Sequence, residues 1–172
     1  SKFNRAFQAQ RQVGSTMKAF VYGAAFALGN TPATIVEDVP TRFMDSNLFI
    51  VENGEARPAN SMAKVYEPRN YERDFFGPIS MWEAIRDSRN VAAVRTLDKV
   101  GIGNVVELAR RSGVSGILPP YPSLALGSAD LSLKDMVRAY STFANYGKRA
   151  PPSFLISKVM DRRGTVLEQH AP

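Results

Sequence analysis

Residues 13–30 read VGSTMKAFVYGAAFALGN. From Ser15 to about Leu28 the apolar side chains Met17, Phe20, Val21, Ala24, Ala25 and Leu28 fall on every side of a helical wheel. A helix without a polar face is a buried helix. Gly29-Asn30 supplies its C-terminal stop, and Pro32 follows. One charge interrupts this apolar run: between Arg11 and Glu37, Lys18 is the only charged side chain. An ammonium taken out of water without a charged partner is costly, so its pKa should fall. A lysine that is neutral near pH 7 can act as a base.

Ser15 stands three residues before Lys18, on the same helix face. It also opens the helix, where unpaired backbone N–H groups favour developing negative charge. Nucleophile, base and positive backbone thus converge within one turn, as an activated hydroxyl requires. Two plainer readings compete: Ser15 as an ordinary N-cap behind Gly14, and Lys18 stretching its head to solvent. Ser88-Arg89-Asn90, at a break between two helical patterns, is the second candidate site. Its hydroxyl could relay a proton and its amide could hold a carbonyl or the lysine. The plain alternative is that Ser88 or Asn90 caps the next helix.

Outward from this centre, residues 1–14 read as a polar lead-in, and 31–77 as an extended, loop-rich segment. Short β-like runs lie at Thr34–Val36 and Leu48–Val51, with a turn at Glu52-Asn53-Gly54. Pro78 and a Ser80/Glu83 capping box start a short helix carrying Met81, Trp82 and Ile85. A helix through Val91, Val94, Leu97 and Val100 ends at Gly101, and another through Val105, Val106, Leu108 and Ala109 ends at Gly113. Residues 114–127 are a Pro- and Gly-rich connection. A second capping box, Ser132/Asp135, precedes a helix whose stripe of Leu133, Met136, Val137, Tyr140, Phe143 and Ala144 should face inward, stopping at Gly147. Phe154–Met160 and Val166-Leu167, around Arg163-Gly164, predict a hairpin. Phe75, Phe76 and Trp82 are expected in the core. The pattern is α+β and helix-rich, with about five helices and few strands. A lone hairpin is marginal in water, so it must pack on the helices or lack its sheet partners.

Composition narrows the chemistry. The 172 residues are 44% hydrophobic and 22% charged, a globular balance. With no cysteine, disulfides and thiolate sites are excluded. The one histidine, His170, lies in a Pro-flanked tail, which argues against a Ser-His-Asp triad and a histidine metal site. No cofactor is implied. The net charge of +6 is scattered over short groups such as Arg110-Arg111 and Arg162-Arg163, so no nucleic-acid partner is expected. Asp45, Glu52 and Glu55 show no paired spacing, and Gly101-Ile102-Gly103 is a helix junction, not a phosphate loop. Ala19–Leu28 is too short to span a bilayer.

Taken in order, FNRAFQAQRQVGSTMKAFVY (3–22), YEPRNY (66–71), FFGPISMWEAIRDSRNVAAVRTLDKVG (75–101) and PSLALGSADLSLKDMVRAYSTFANYGKRAPPSFLISKV (122–159) resemble the transpeptidase domain of class A, bifunctional penicillin-binding proteins. Residues 37–65 are the least characteristic part. The resemblance implies Ser15 as nucleophile and Lys18 as base, with Ser88 and Asn90 as the Ser-x-Asn motif. It implies peptidoglycan D,D-transpeptidation through an acyl-serine, with a stem peptide ending in D-Ala-D-Ala as substrate and β-lactams as acylating inhibitors. It also implies a periplasmic location, anchored by a segment outside this chain. Val13 and Ala19 stand where the family usually has Pro. The family's Lys-Thr/Ser-Gly strand has no counterpart here, nor have the strands that precede the nucleophile helix.

The expectation is therefore the central, largely helical part of one transpeptidase domain. Residues 1–30 form its nucleophile segment and buried helix, 31–77 a loop-rich segment, 78–147 the helical part, and 148–172 a hairpin. The rest of the domain, with its Lys-Thr-Gly strand, lies in the same parent or a separate chain, and the fragment alone should turn over little or nothing. Rival readings are a serine β-lactamase, a D,D-carboxypeptidase or a non-catalytic scaffold domain.

Overall fold

The computed structural model describes residues 2–44, 50–51, 65–151 and 156–170. Its centre is the helix anticipated from the apolar run. A 3₁₀ turn, Gly14–Met17, leads directly into α1 (Lys18–Ala27). Met17, Phe20, Val21 and Ala25 are wholly buried. α1 packs against α3 (Asn90–Val100) and α4 (Ile102–Ser112), with α2 (Met81–Arg86) beside it. Helix ends follow the residues that permit them. Gly101 and Gly113 both take positive φ, and Gly113 closes α4 in the left-handed conformation. The Ser80 hydroxyl accepts from the Glu83 N–H while the Glu83 carboxylate accepts from the Ser80 N–H, so the expected capping box opens α2.

Strands form small antiparallel pairs. β1 (Gln10–Gln12) pairs with β7 (Asp130–Ser132), and β2 (Ile35–Asp38) with β6 (Gly77–Ser80). β3 (Arg42–Met44) lies between β4 (Ile50–Val51) and β5 (Val65–Tyr66). β8 (Lys158–Met160) and β9 (Val166–Gln169) form the anticipated hairpin, turning through Gly164. The result is an α+β, helix-rich fold whose sheets have two or three strands among the described residues.

Several expectations are corrected. The lead-in 1–14 contains β1, whose polar Gln-Arg-Gln side chains hide a purely backbone pairing. Pro78, read as a helix lead-in, lies within β6. Ser132 caps α5 (Leu133–Ala144), but the Asp135 carboxylate turns to the Ser115 hydroxyl rather than completing a box. The α5 stripe faces inward only in part: Met136 packs half-buried against the core, but Leu133 is 59% and Val137 60% exposed, and Tyr140, Phe143 and Ala144 are also exposed. α5 meets the core through Met136, Ala139 and Thr142, while Tyr140 meets Phe20 edge-on and Phe143 meets it at a tilt. Phe75, Phe76 and Trp82 are also exposed rather than core; the rings of Phe76 and Trp82 stack against the guanidinium groups of Arg89 and Arg86. The turn anticipated at Asn53-Gly54 lies outside the described residues.

Candidate active site

The Ser15 turn is held from both sides. The Gly14 N–H donates to the Gly127 carbonyl at 3.3 Å and the Val13 N–H to Ala129 at 3.2 Å. Gly127 has φ +73°, and a Cβ there would overlap the backbone nitrogen and carbonyl of Gly14. Only a glycine permits this approach. The Tyr140 hydroxyl donates to the Thr16 carbonyl at 2.6 Å. Ser15 makes no side-chain cap and no hydrogen bond through its hydroxyl among the described residues. It is exposed and lines an open cleft shared with Ser88, Asn90, Asn70, Tyr71 and Glu72. N–H groups in such a first turn have no partner within the helix.

Lys18 does not reach for solvent. It is 4% exposed. Its Nζ donates to the Ser88 carbonyl at 2.6 Å, the Ser88 hydroxyl at 3.0 Å and the Asn90 Oδ1 at 2.6 Å. These three acceptors saturate an ammonium. None carries a charge, so burial prevails and lowers the lysine pKa from 10.5 to about 8. In the neutral amine, the two carbonyl oxygens would keep the two N–H groups. Ser15 lines a cleft with Ser88 and Asn90, the residues that hold Lys18, but makes no hydrogen bond to Lys18 itself. Unliganded sites often close such bonds only when substrate arrives.

Ser88 follows α2 and holds φ +51°, a left-handed conformation unusual for a residue with a side chain. Neither Ser88 nor Asn90 caps α3: the N-cap position is Arg89, with no side-chain bond of that kind. Both motif side chains instead point to Lys18, 70 and 72 residues away in sequence. The Asn90 Nδ2 donates to the Arg69 carbonyl at 2.8 Å, which leaves Oδ1 facing the amine.

Three supporting residues carried no role in the sequence reading. Asn70 accepts from the N–H groups of Asn90 and Val91, and donates to Asp38 at 2.8 Å. Arg89 and Asp38, 3% and 0% exposed, form a buried ion pair at 2.7 Å. An Asn within a Pro-, Arg- and Tyr-rich loop gives no pattern from which a cap 20 residues downstream could be read. Among the described residues, no group of three or more His, Cys, Asp or Glu could hold a metal.

Comparison with known proteins places the chain in a family. Residues 2–171 match the family model "Penicillin binding protein transpeptidase domain". The chain is 37% identical to penicillin-binding protein 1A of Pseudomonas aeruginosa over 173 residues, covering 100% of this chain and 19% of that protein. It thus spans about a fifth of that relative's length. The crystal structure of penicillin-binding protein 1A from Haemophilus influenzae superposes with a TM-score of 0.79 at 31% identity, over 100% of this chain and 24% of that one. The PonA1 protein of Mycobacterium tuberculosis, solved in complex with penicillin V, gives 0.76 at 25% identity, over 98% of this chain and 43% of that one. On the fold, and on a family match across nearly its whole length, this chain belongs to the penicillin-binding protein transpeptidase domain family.

Proposed function

We propose that this chain carries the nucleophile and base of a peptidoglycan D,D-transpeptidase, as the central part of a larger catalytic domain. The observation that supports it is the buried Lys18 amine, held by Ser88 and Asn90, two residues that line one cleft with Ser15. Neutral Lys18 takes the Ser15 proton as the hydroxyl oxygen attacks the carbonyl of the penultimate D-alanine. The Ser15 N–H supports the developing oxyanion. The C–N bond then breaks, Ser88 passes a proton to the departing amine, and D-alanine leaves an ester on Ser15. An amine of a neighbouring stem peptide attacks that ester; the acyl C–O bond breaks, the amine's proton returns through the same groups to the Ser15 oxygen, and the new amide closes the cross-link. Asn90 fixes Lys18 and the substrate amide. A β-lactam acylates Ser15 by the same attack and is released slowly.

The parent protein supplies a Lys-Thr-Gly strand and its second oxyanion N–H. Losing one such donor costs about 10²–10³ in rate, so the isolated chain turns over little. The uncovered apolar stripe of α5 is where further sheet would lie. The reaction belongs to the extracytoplasmic side of the membrane, with an anchor elsewhere in the parent. No helix among the described residues is long and apolar enough to cross a bilayer.

The test uses the intact parent protein and uncross-linked glycan strands bearing pentapeptides. Cross-linked muropeptide dimers are expected, and they should disappear in Ser15→Ala. Trimmed monomers without dimers would make the enzyme a carboxypeptidase. Dimers that persist in the Ser15→Ala protein would overturn the assignment.

A further inference from the structure

The Ser88–Asn90 segment poses two structural problems. Ser88 sits in a left-handed conformation without being glycine. α3 starts immediately afterwards, and its N-cap residue, Arg89, offers no side-chain acceptor for the first amides. Left alone, such a turn would relax and carry the Ser88 carbonyl and Asn90 Oδ1 away from Lys18.

Both problems are met from outside the segment. Asn70, 3% exposed, accepts from the Asn90 N–H at 2.8 Å and the Val91 N–H at 3.1 Å. It caps α3 from a distant loop. Its own Nδ2 donates to Asp38 Oδ1 at 2.8 Å and to the Asp74 carbonyl at 2.9 Å. Asp38 Oδ2 accepts from Arg89 Nε at 2.8 Å and from the Phe76 N–H at 3.2 Å. The Arg89 guanidinium also donates to the Asp74 carbonyl at 2.7 Å and lies 3.9 Å from the Phe76 ring centre. The middle residue of the motif is therefore pinned on one side of the turn, while Asn70 holds the helix start on the other. The two oxygens between these anchors both stand 2.6 Å from the Lys18 Nζ.

We infer that Asn70, with the Arg89–Asp38 pair behind it, is a positioning residue for acylation: it sets the Ser88 carbonyl and Asn90 amide that aim the Lys18 amine. This rests on the reading of the cleft as the acylation site. Asn70 need not touch substrate. It acts by fixing acceptors within a fraction of an ångström, where a displacement near 1 Å costs about 10²-fold in rate.

The experiment compares the intact parent protein with its Asn70→Ala and Asn70→Asp variants. Acylation by a fluorescent penicillin is followed by stopped flow, separating the rate constant at saturation from the non-covalent affinity. Unfolding transitions are recorded for all three proteins. Asn70→Ala should remain folded, lose between about tenfold and 10²-fold in the saturating rate constant, and keep its affinity within about threefold. Asn70→Asp retains an acceptor for both amides and, protonated beside Asp38, a donor as well. It should recover most of the rate. A purely structural cap predicts otherwise: a lowered unfolding midpoint with an unchanged rate constant per folded molecule. That result would overturn the inference, as would a loss confined to affinity.

Absence of Ser15 labelling in the wild-type protein would instead sink the functional reading. The positioning claim is then decided by a crystal structure of Asn70→Ala. Lys18 parted from the Ser88 carbonyl or Asn90 Oδ1 upholds it, and all three bonds intact refutes it.

Discussion

Raising the pH should accelerate acylation of Ser15 because the base must first lose its own proton. Burial among neutral oxygens lowers the Lys18 pKa to about 8. With that value the neutral fraction is roughly 9% at pH 7, 50% at pH 8 and 91% at pH 9, so the rate should rise about tenfold from pH 7 to pH 9 and then level. A lysine at its ordinary value of 10.5 would be neutral in only about 0.03% of molecules at pH 7 and about 3% at pH 9, giving a hundredfold rise with no plateau. The assay is the saturating rate constant of penicillin acylation in the parent protein, measured at intervals of half a pH unit. Lys18→Arg keeps the charge but cannot deprotonate, and should lose about 10²–10⁴-fold at every pH. Stability must be checked alongside. The folded pKa lies below the unfolded one, so between about pH 8 and 10.5 the unfolded chain holds the extra proton and stability rises with pH. That stability change lies above about pH 8, so it cannot produce a rise that is half complete at pH 8 and levels near pH 9. A flat profile, or one that climbs without levelling, would refute the assignment of Lys18 as base.

Asp38→Ala removes the fully buried partner of Arg89, leaving it Asp74 and Glu72, and unpairs the Asn70 amide and the Phe76 N–H; it should cost about 1–3 kcal/mol in urea unfolding, whereas Asp87→Ala, at the exposed pair with Arg86, should leave the urea midpoint nearly unchanged. Gly127→Ala forces a methyl into the Gly14 backbone. It should destabilise by about 2–3 kcal/mol and slow Ser15 acylation in the same protein, measured by calorimetry and penicillin labelling. Ser80→Ala removes the acceptor for the Glu83 N–H and should lower stability by about 1 kcal/mol without changing the acylation rate constant.

What could be read from sequence followed the range of the interaction. α1 was legible because an apolar run with one lysine has few alternatives, and the ends at Gly101 and Gly113 were legible because glycine marks a local backbone requirement. β1 and β6 were not. Their pairing rests on backbone groups, and Gln-Arg-Gln and Gly-Pro-Ile-Ser lack the alternation that betrays a strand. Apolar periodicity found α5 but could not say what covers its stripe, and among the described residues Leu133 and Val137 lie uncovered. Lys18 announced itself as a lone charge in an apolar run. Asn70 did not, since its bonds to Asn90 and Val91 cross 20 residues of loop and helix.

Mass mapping of a penicillin adduct on the intact parent protein tests the central claim most directly. The buried amine at Lys18 makes one hydroxyl nucleophilic, so digestion should yield a single penicilloyl peptide, modified at Ser15 and absent from Ser15→Ala. An adduct on Ser88 or any other residue, or one that survives Ser15→Ala, would contradict the account.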